Sequence, residues 1–271
     1  MMRALYTAAT GMIAQQSNVD NISNNLSNVN TVGYKAQKTE FKSLLYQTIQ
    51  TRTTSANGEE KPISAQVGLG TRVASNTSIF TQGAPQATEN MTDFMLDGEG
   101  FFAVRGADGE TYYTRAGNFT WAVNGNAIRL TTPEGYPVLD SNGNEITLPA
   151  GVSSDQVVVS SDGAFGYYNA NGQYVDMNRR FGIYQFNNPA GLEKEGSNLL
   201  SETPASGAPL NEATNNNVIP SKVLQGYLES SNVQVADEMV NMIIAQRAYQ
   251  LNSKAINAAD EMLEQANNLR R

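Results

Sequence analysis

The sequence predicts an α+β protein: long N- and C-terminal helices pair as a coiled-coil core, and an all-β domain is inserted between them on extended connectors. Three observations lead there. The first 34 residues carry, after Arg3, a single charge, Asp20, and their apolar residues recur at steps of three and four. Residues 94–186 hold 15 of the 22 aromatic residues and are punctuated by Asx-Gly pairs. From residue 228 to the end there is neither Gly nor Pro, and the helical period returns.

In the N-terminal helix, positions 5, 8, 12, 15, 19, 22, 26 and 29 read Leu5, Ala8, Met12, Gln15, Val19, Ile22, Leu26 and Val29. Seven of these eight are apolar, which makes a coiled-coil seam. A second row, Asn18, Asn21, Asn25 and Asn28, keeps the same spacing. An ordinary surface helix shows Lys and Glu opposite its seam; this one shows uncharged amides and hydroxyls. An unpaired charge is costly to bury, whereas amides can pair with one another and with backbone. An intramolecular helix pair with solvated amides would fit the spacing, but the missing charge better suits a helix packed among several subunits. Isolated helices of this kind have little apolar partner surface, so the termini are expected to order on assembly.

Residues 51–92 and 187–220 are rich in Gly, Pro, Ser, Thr and Asn and read as extended connectors. Between them, the pairs Asp97-Gly98, Asp108-Gly109, Asn124-Gly125, Asn142-Gly143, Asp162-Gly163 and Asn171-Gly172 fit tight turns, because Gly takes positive φ without penalty. Runs such as Phe101-Phe102-Ala103-Val104, Val157-Val158-Val159 and Tyr184-Gln185-Phe186 supply short strands.

The C-terminal helix has one seam at Ile244, Ala248, Leu251, Ala255, Ala258, Met262, Gln265 and Leu269 and a second apolar row at Met242, Tyr249, Ile256 and Leu263. Two apolar rows on one helix imply neighbours on more than one side. The candidate subunit-interface residues are therefore Leu5, Met12, Val19, Ile22, Asn25, Leu26, Val29, Met242, Ile244, Tyr249, Leu251, Ile256, Met262 and Leu263.

Composition narrows the function. The 271 residues include no Cys and no His, which removes disulfides, Cys/His zinc sites and Ser-His-Asp chemistry. The net charge is −8, and residues 1–50 and 228–271 together sum to zero, so the whole excess lies on 51–227. No basic stripe is present to track nucleic acid. No 18 apolar residues run together to span a membrane, and Met1-Met2-Arg3-Ala4-Leu5-Tyr6-Thr7 lacks the apolar run of a cleaved signal peptide. Asp97 and Glu99 are paired carboxylates, but they sit in a glycine-rich turn. The run Asp140-Ser141-Asn142-Gly143-Asn144-Glu145 resembles a calcium loop but has Glu145 where the loop glycine belongs, so a hairpin turn is expected. Gly68-Leu69-Gly70 lacks the third glycine of a nucleotide fingerprint. No catalytic, cofactor or metal residue is assigned.

At both ends the sequence resembles a known family. Asn24-Asn25-Leu26-Ser27-Asn28-Val29-Asn30-Thr31-Val32-Gly33-Tyr34-Lys35 resembles the N-terminal signature of bacterial flagellar rod and hook proteins. Gln225-Gly226-Tyr227-Leu228-Glu229-Ser230-Ser231-Asn232-Val233, with Glu238-Met239-Val240-Asn241-Met242-Ile243 and Gln246-Arg247-Ala248-Tyr249, resembles their C-terminal signature. Asp97-Gly98-Glu99-Gly100-Phe101-Phe102 and Tyr113-Thr114-Arg115-Ala116-Gly117-Asn118-Phe119 look like further landmarks. Chain length and Leu44-Leu45-Tyr46-Gln47-Thr48-Ile49 most resemble the distal-rod branch, whose connector insert after this helix is similar to residues 50–66, with Asn57-Gly58-Glu59-Glu60-Lys61-Pro62.

The resemblance implies a non-enzymatic subunit of a rigid hollow shaft that transmits torque from motor to hook. The sister reading is a proximal rod or hook-like axial subunit. A different class, a secreted carbohydrate-binding or hydrolytic β-domain, would bind or cleave cell-wall polysaccharide through residues 94–186. Implied partners are further copies of the chain, other rod proteins, the hook protein, the type III export apparatus and surrounding ring proteins. The implied location is the basal body outside the cytoplasmic membrane, in periplasm or cell wall, after export without a cleaved signal peptide. The expected parts are an N-terminal core helix at 1–34, a connector with a short helix and extended arm at 35–75, a β-rich outer domain at 76–203, a return connector at 204–227 and a C-terminal core helix at 228–271.

Overall fold

The computed structural model describes residues 2–50, 65–125, 127–149, 151–169, 172–215 and 218–268. Its element order is a helix, a long series of short strands and a second helix. The chain divides into two units: Met1–Ser27, Gln37–Ser78 and Gln234–Arg271 form the first, and Asn28–Ala36 with Ile79–Val233 form the second.

In the first unit, helix α1 spans Met2–Ser27 and helix α2 spans Val235–Asn268. α1 contains no Pro and a single Gly, and it stops where the polar turn residues Ser27, Asn28 and Asn30 begin. α2 opens with Asp237 and Glu238 in its first turn, where acidic side chains meet the positive end of the helix dipole. No described helix is long and apolar enough to cross a membrane.

The same unit holds a β-ribbon. Gln37–Ser43 pairs antiparallel with Thr71–Ser78, with a register shift at Glu40/Phe41, and Tyr46–Gln50 pairs with Ala65–Gly68. The segment 44–49, expected as a short helix within 35–75, is thus extended and lies largely in a strand. Aromatic and β-branched side chains at Tyr46, Thr48 and Ile49 favour the pleated backbone once a partner strand is available, and Gln66 and Val67 supply one. The expected connector at 50–66 lies mostly outside the described residues, which omit 51–64.

The second unit is built from antiparallel sheets. The largest has six strands in the order Glu193–Gly196, Leu199–Ser201, Thr111–Thr114, Phe101–Arg105, Ile183–Gln185 and Leu210–Asn211. Its Phe101–Arg105 strand is buried on both faces. Phe102 and Val104 enter one core with Phe94, Phe119, Phe165 and Phe181, while Phe101 and Ala103 enter another with Tyr113, Leu139 and Phe186. Side chains alternate between faces along a strand, so a strand between two cores is apolar in succession, here from Phe101 to Val104, with Arg105 half-buried at its end. In the first core the rings meet tilted or edge-on, the edge-on pairs including Phe94–Phe181 with centroids 5.0 Å apart and Phe102–Phe119 5.1 Å apart. The six glycines of the Asx-Gly pairs all have positive φ, as turns of this kind require.

The calcium-like run is a turn held from within. Asp140 is buried, and its Oδ1 accepts the backbone N–H groups of Asn142 and Asn144, each at 2.8 Å, while Arg179 Nη1 donates to its Oδ2 at 2.8 Å. The carboxylate is spent on the turn and on one guanidinium. Asp97-Gly98-Glu99-Gly100 links the strands Phe94–Asp97 and Phe101–Arg105, as a glycine-rich turn should.

Candidate functional site

Two constellations stand out, one in each unit. In the first unit α1 and α2 run antiparallel. Asn25 near the end of α1 donates to Glu238 Oε1 in the first turn of α2 at 3.3 Å, while Gly11 lies against Asn252. A Cβ on Gly11 would come within 2.8 Å of Asn252 Nδ2, so the glycine makes room for the amide. Buried alanines on both helices, Ala8 and Ala14 on α1 and Ala245 and Ala259 on α2, permit a close approach.

The N-terminal seam turns inward. Ile22 is buried, and Leu5, Met12, Val19 and Leu26 are half-buried. Val29 packs in the second unit with Tyr34, Ala36 and Val233. On α2 the inner row contains Met242, Ala245, Asn252, Ile256 and Ala259, all buried or half-buried, with the more exposed Tyr249 and Leu263 in the same three-four spacing. The other row stays outside: Ile244, Leu251 and Met262 are 61, 66 and 51% exposed. Val240 and Ile243 are exposed beside it, and Met2, Tyr6 and Ile13 form an exposed row on α1 that the N-terminal seam does not include. Their signal in the sequence is the same steps of four and seven on another face.

The amide row is not merely solvated. Asn21 and Asn25 are buried. Asn21 Nδ2 donates to Thr39 Oγ1 at 2.9 Å, and Asn25 both donates to Gln37 O at 2.8 Å and accepts Gln37 N–H at 2.9 Å. The Asn25 amide thus takes the place of a strand neighbour and ties the ribbon to α1. A charged side chain could not offer a donor and an acceptor side by side.

In the second unit, three motifs widely separated along the chain converge. Glu229, 1% exposed, accepts Lys35 Nζ on Oε1 at 2.6 Å and Arg115 Nη1 on Oε2 at 3.5 Å, and its Oε1 also accepts Gly83 N–H at 2.8 Å. Lys35 Nζ also donates to Thr81 O at 2.8 Å, and Arg115 Nη2 donates to Gly98 O at 2.7 Å. The Arg115 guanidinium lies 5.0 Å from the Phe101 ring centroid. Burial pushes both Lys35 and Arg115 below their ordinary pKa ranges, and the Glu229 carboxylate opposes that push in each. Asn232 completes the joint by accepting Ala36 N–H at 2.8 Å and donating to Ile79 O at 2.8 Å. None of Lys35, Arg115 and Glu229 was a candidate from the sequence, although each lies within a signature motif.

Gly33 is fixed by the same joint. It has φ +67°, and a Cβ there would lie 2.7 Å from Ala116 N and from the Arg115 carbonyl carbon. Backbone cannot yield as a side-chain tip can. Gly33→Ala is expected to destabilise the second unit by roughly 2–3 kcal/mol, combining left-handed strain with overpacking. Chemical denaturation followed by the fluorescence of Trp121, the only tryptophan, measures it; a loss under about 0.5 kcal/mol, the range of a neutral surface change, would refute it.

Comparison with known proteins covers both constellations. Family models match three stretches: the flagella basal body rod protein model at residues 5–35, the flagellar hook protein FlgE/F/G D1 domain at 95–167, and the flagellar basal body rod FlgEFG protein C-terminal model at 224–269. The flagellar basal-body rod protein FlgG of Borreliella burgdorferi is 43% identical over 100% of both chains. FlgG of Agrobacterium fabrum is 41% identical over 96% of this chain and 97% of its own, and that of Bacillus subtilis is 38% identical over 100% of both.

Proposed function

The chain belongs to the flagellar basal-body rod and hook family, and from that premise we propose that it is a structural subunit of the distal rod, a rigid hollow drive shaft carrying torque from motor to hook. It is a structural protein and not an enzyme, as its relatives are. The supporting observation is the outer row of α2. Ile244, Leu251 and Met262 project from a helix whose opposite row already packs on α1. Leaving that much apolar surface in water is costly, and burying each such side chain is worth about 1.5–3 kcal/mol.

In this reading Leu5, Met12, Val19, Ile22, Leu26, Met242, Tyr249, Ile256 and Leu263 hold the helices as a coiled-coil core, and Ile244, Leu251 and Met262 engage neighbouring copies, while Val29, beyond the end of α1, packs with Tyr34, Ala36 and Val233 instead. Asn25 aligns the ribbon against that core. Many such contacts, each weak, together resist the shear of a rotating shaft. The connector at 50–66 bridges neighbours and stiffens the tube. The further partners are other rod proteins, the hook protein, surrounding ring proteins and the export apparatus. The chain leaves the cytoplasm unfolded and assembles in periplasm or cell wall.

Electron microscopy of the concentrated full-length chain tests the reading. Straight hollow rods are expected, and none once residues 1–34 are deleted. Curved fibres would place the chain with hook-like subunits, and a persistent monomer would refute self-assembly.

A further inference from the structure

The buried joint of the second unit carries more positive than negative charge. Lys35 and Arg115 are both within 4% of full burial and share the single carboxylate of Glu229. Glu212 and Glu99 act on Arg115 only through longer-range attraction. Both cations also have donors to spare. Of the three Lys35 ammonium protons, Thr81 O and Glu229 Oε1 take two. Arg115 Nε is buried and has no hydrogen-bond partner among the described residues.

These cations line a cavity of about 150 Å³. Lys194 also lines it, with its ammonium 5.3 Å from the Tyr34 ring centroid and no ion pair among the described residues. Among the described residues no carboxylate lines the cavity; its remaining wall includes Phe80, Leu199 and the polar Ser197 and Asn198. Three cations lining one cavity beside a largely apolar wall suit a ligand that is anionic at one end and aliphatic behind it.

We propose that this cavity binds a carboxylate on an aliphatic stem, its charged head against Lys35, Arg115 and Lys194 and its stem against Phe80 and Leu199. Two sources supply that group: a small free carboxylate, or an Asp or Glu side chain of a second copy of this chain. The site lies apart from the outer row of α2 and does not depend on it.

The test uses dilute, unassembled full-length chain. Thermal unfolding is followed by Trp121 fluorescence in butyrate, phosphate and chloride at equal ionic strength, for the native chain and for Lys194→Met. Lys194 is exposed, so its replacement leaves the fold intact. The native chain should gain roughly 4 °C at butyrate concentrations about ten times the dissociation constant. Lys194→Met should gain little. An equal gain in Lys194→Met, or no difference between butyrate and chloride, would overturn the site. A gain in phosphate as large as in butyrate would overturn the aliphatic assignment. Butyrate that slows assembly of the native chain, but not of Lys194→Met, identifies a neighbour's side chain as occupant; equal assembly rates identify a free carboxylate.

Discussion

Glu229→Leu is expected to lower the stability of the second unit by about 3–5 kcal/mol, the cost of stranding buried cations without their partner. The substitution removes at once the acceptor of Lys35 at 2.6 Å, of Arg115 at 3.5 Å and of Gly83 N–H at 2.8 Å. The penalty arises from what remains. Lys35 and Arg115 are disfavoured in their charged forms by burial, and Glu229 is the first opposing influence on each. The triple variant Lys35→Met, Arg115→Met, Glu229→Leu should therefore recover part of the loss, because no uncompensated charge is left inside. Urea unfolding read at Trp121 provides the measurement. A single-variant loss below about 1 kcal/mol, the scale of an exposed ion pair, would show that the joint is not held by charge.

The double change Ile244→Asp, Leu251→Asp should leave the monomer folded and abolish its polymers. Both side chains are more than half exposed, so the chain by itself loses little. Assembly would lose the burial of two large aliphatic groups, about 3–6 kcal/mol per contact. That corresponds to a rise in critical concentration of at least about 100-fold. Sedimentation velocity and circular dichroism on the same sample separate the outcomes. Polymers at unchanged concentration would show that the outer row of α2 is not an assembly surface. A loss of helicity relative to the unassembled native chain would show that the row supports the chain's own fold.

Much of the architecture is legible in residue periodicity. The seam from Leu5 to Leu26 and the Gly- and Pro-free stretch from residue 228 mark both helices, because amphipathic periodicity is a local property of the chain. The Asx-Gly pairs mark turns for the same reason, since positive φ at Gly98, Gly109 or Gly143 depends on that residue and its neighbours. Segment 44–49 shows the limit. Leu44-Leu45-Tyr46-Gln47-Thr48-Ile49 is expected as a short helix from the family resemblance, yet the returning strand at Ala65–Gly68 captures Tyr46–Gln50. A partner strand some twenty residues away decides the conformation there.

For the interface residues, the sequence established that α2 has two apolar rows but not which of them faces inward. Ile244, Leu251 and Met262 are as apolar as Met242, Ile256 and Leu263. Only the antiparallel position of α1, with Gly11 against Asn252 and Asn25 against Glu238, turns one row in and leaves the other out. Likewise Asn25 was recognisable as an uncharged residue in a charge-poor helix, but its pairing with Gln37 required the ribbon to be in place.

By itself, then, the sequence determined the two helices, the β-rich middle, the placement of the −8 charge on that middle and the family signatures at each end. Each of these follows from local composition or spacing. The tertiary structure alone decided that Lys35, Arg115 and Glu229 meet, because they lie in three motifs with 194 positions separating the first from the last and 114 separating the second from the last. Charge attraction is blind to chain order and acts only when the fold has brought groups within a few ångströms, so no spacing rule could announce it.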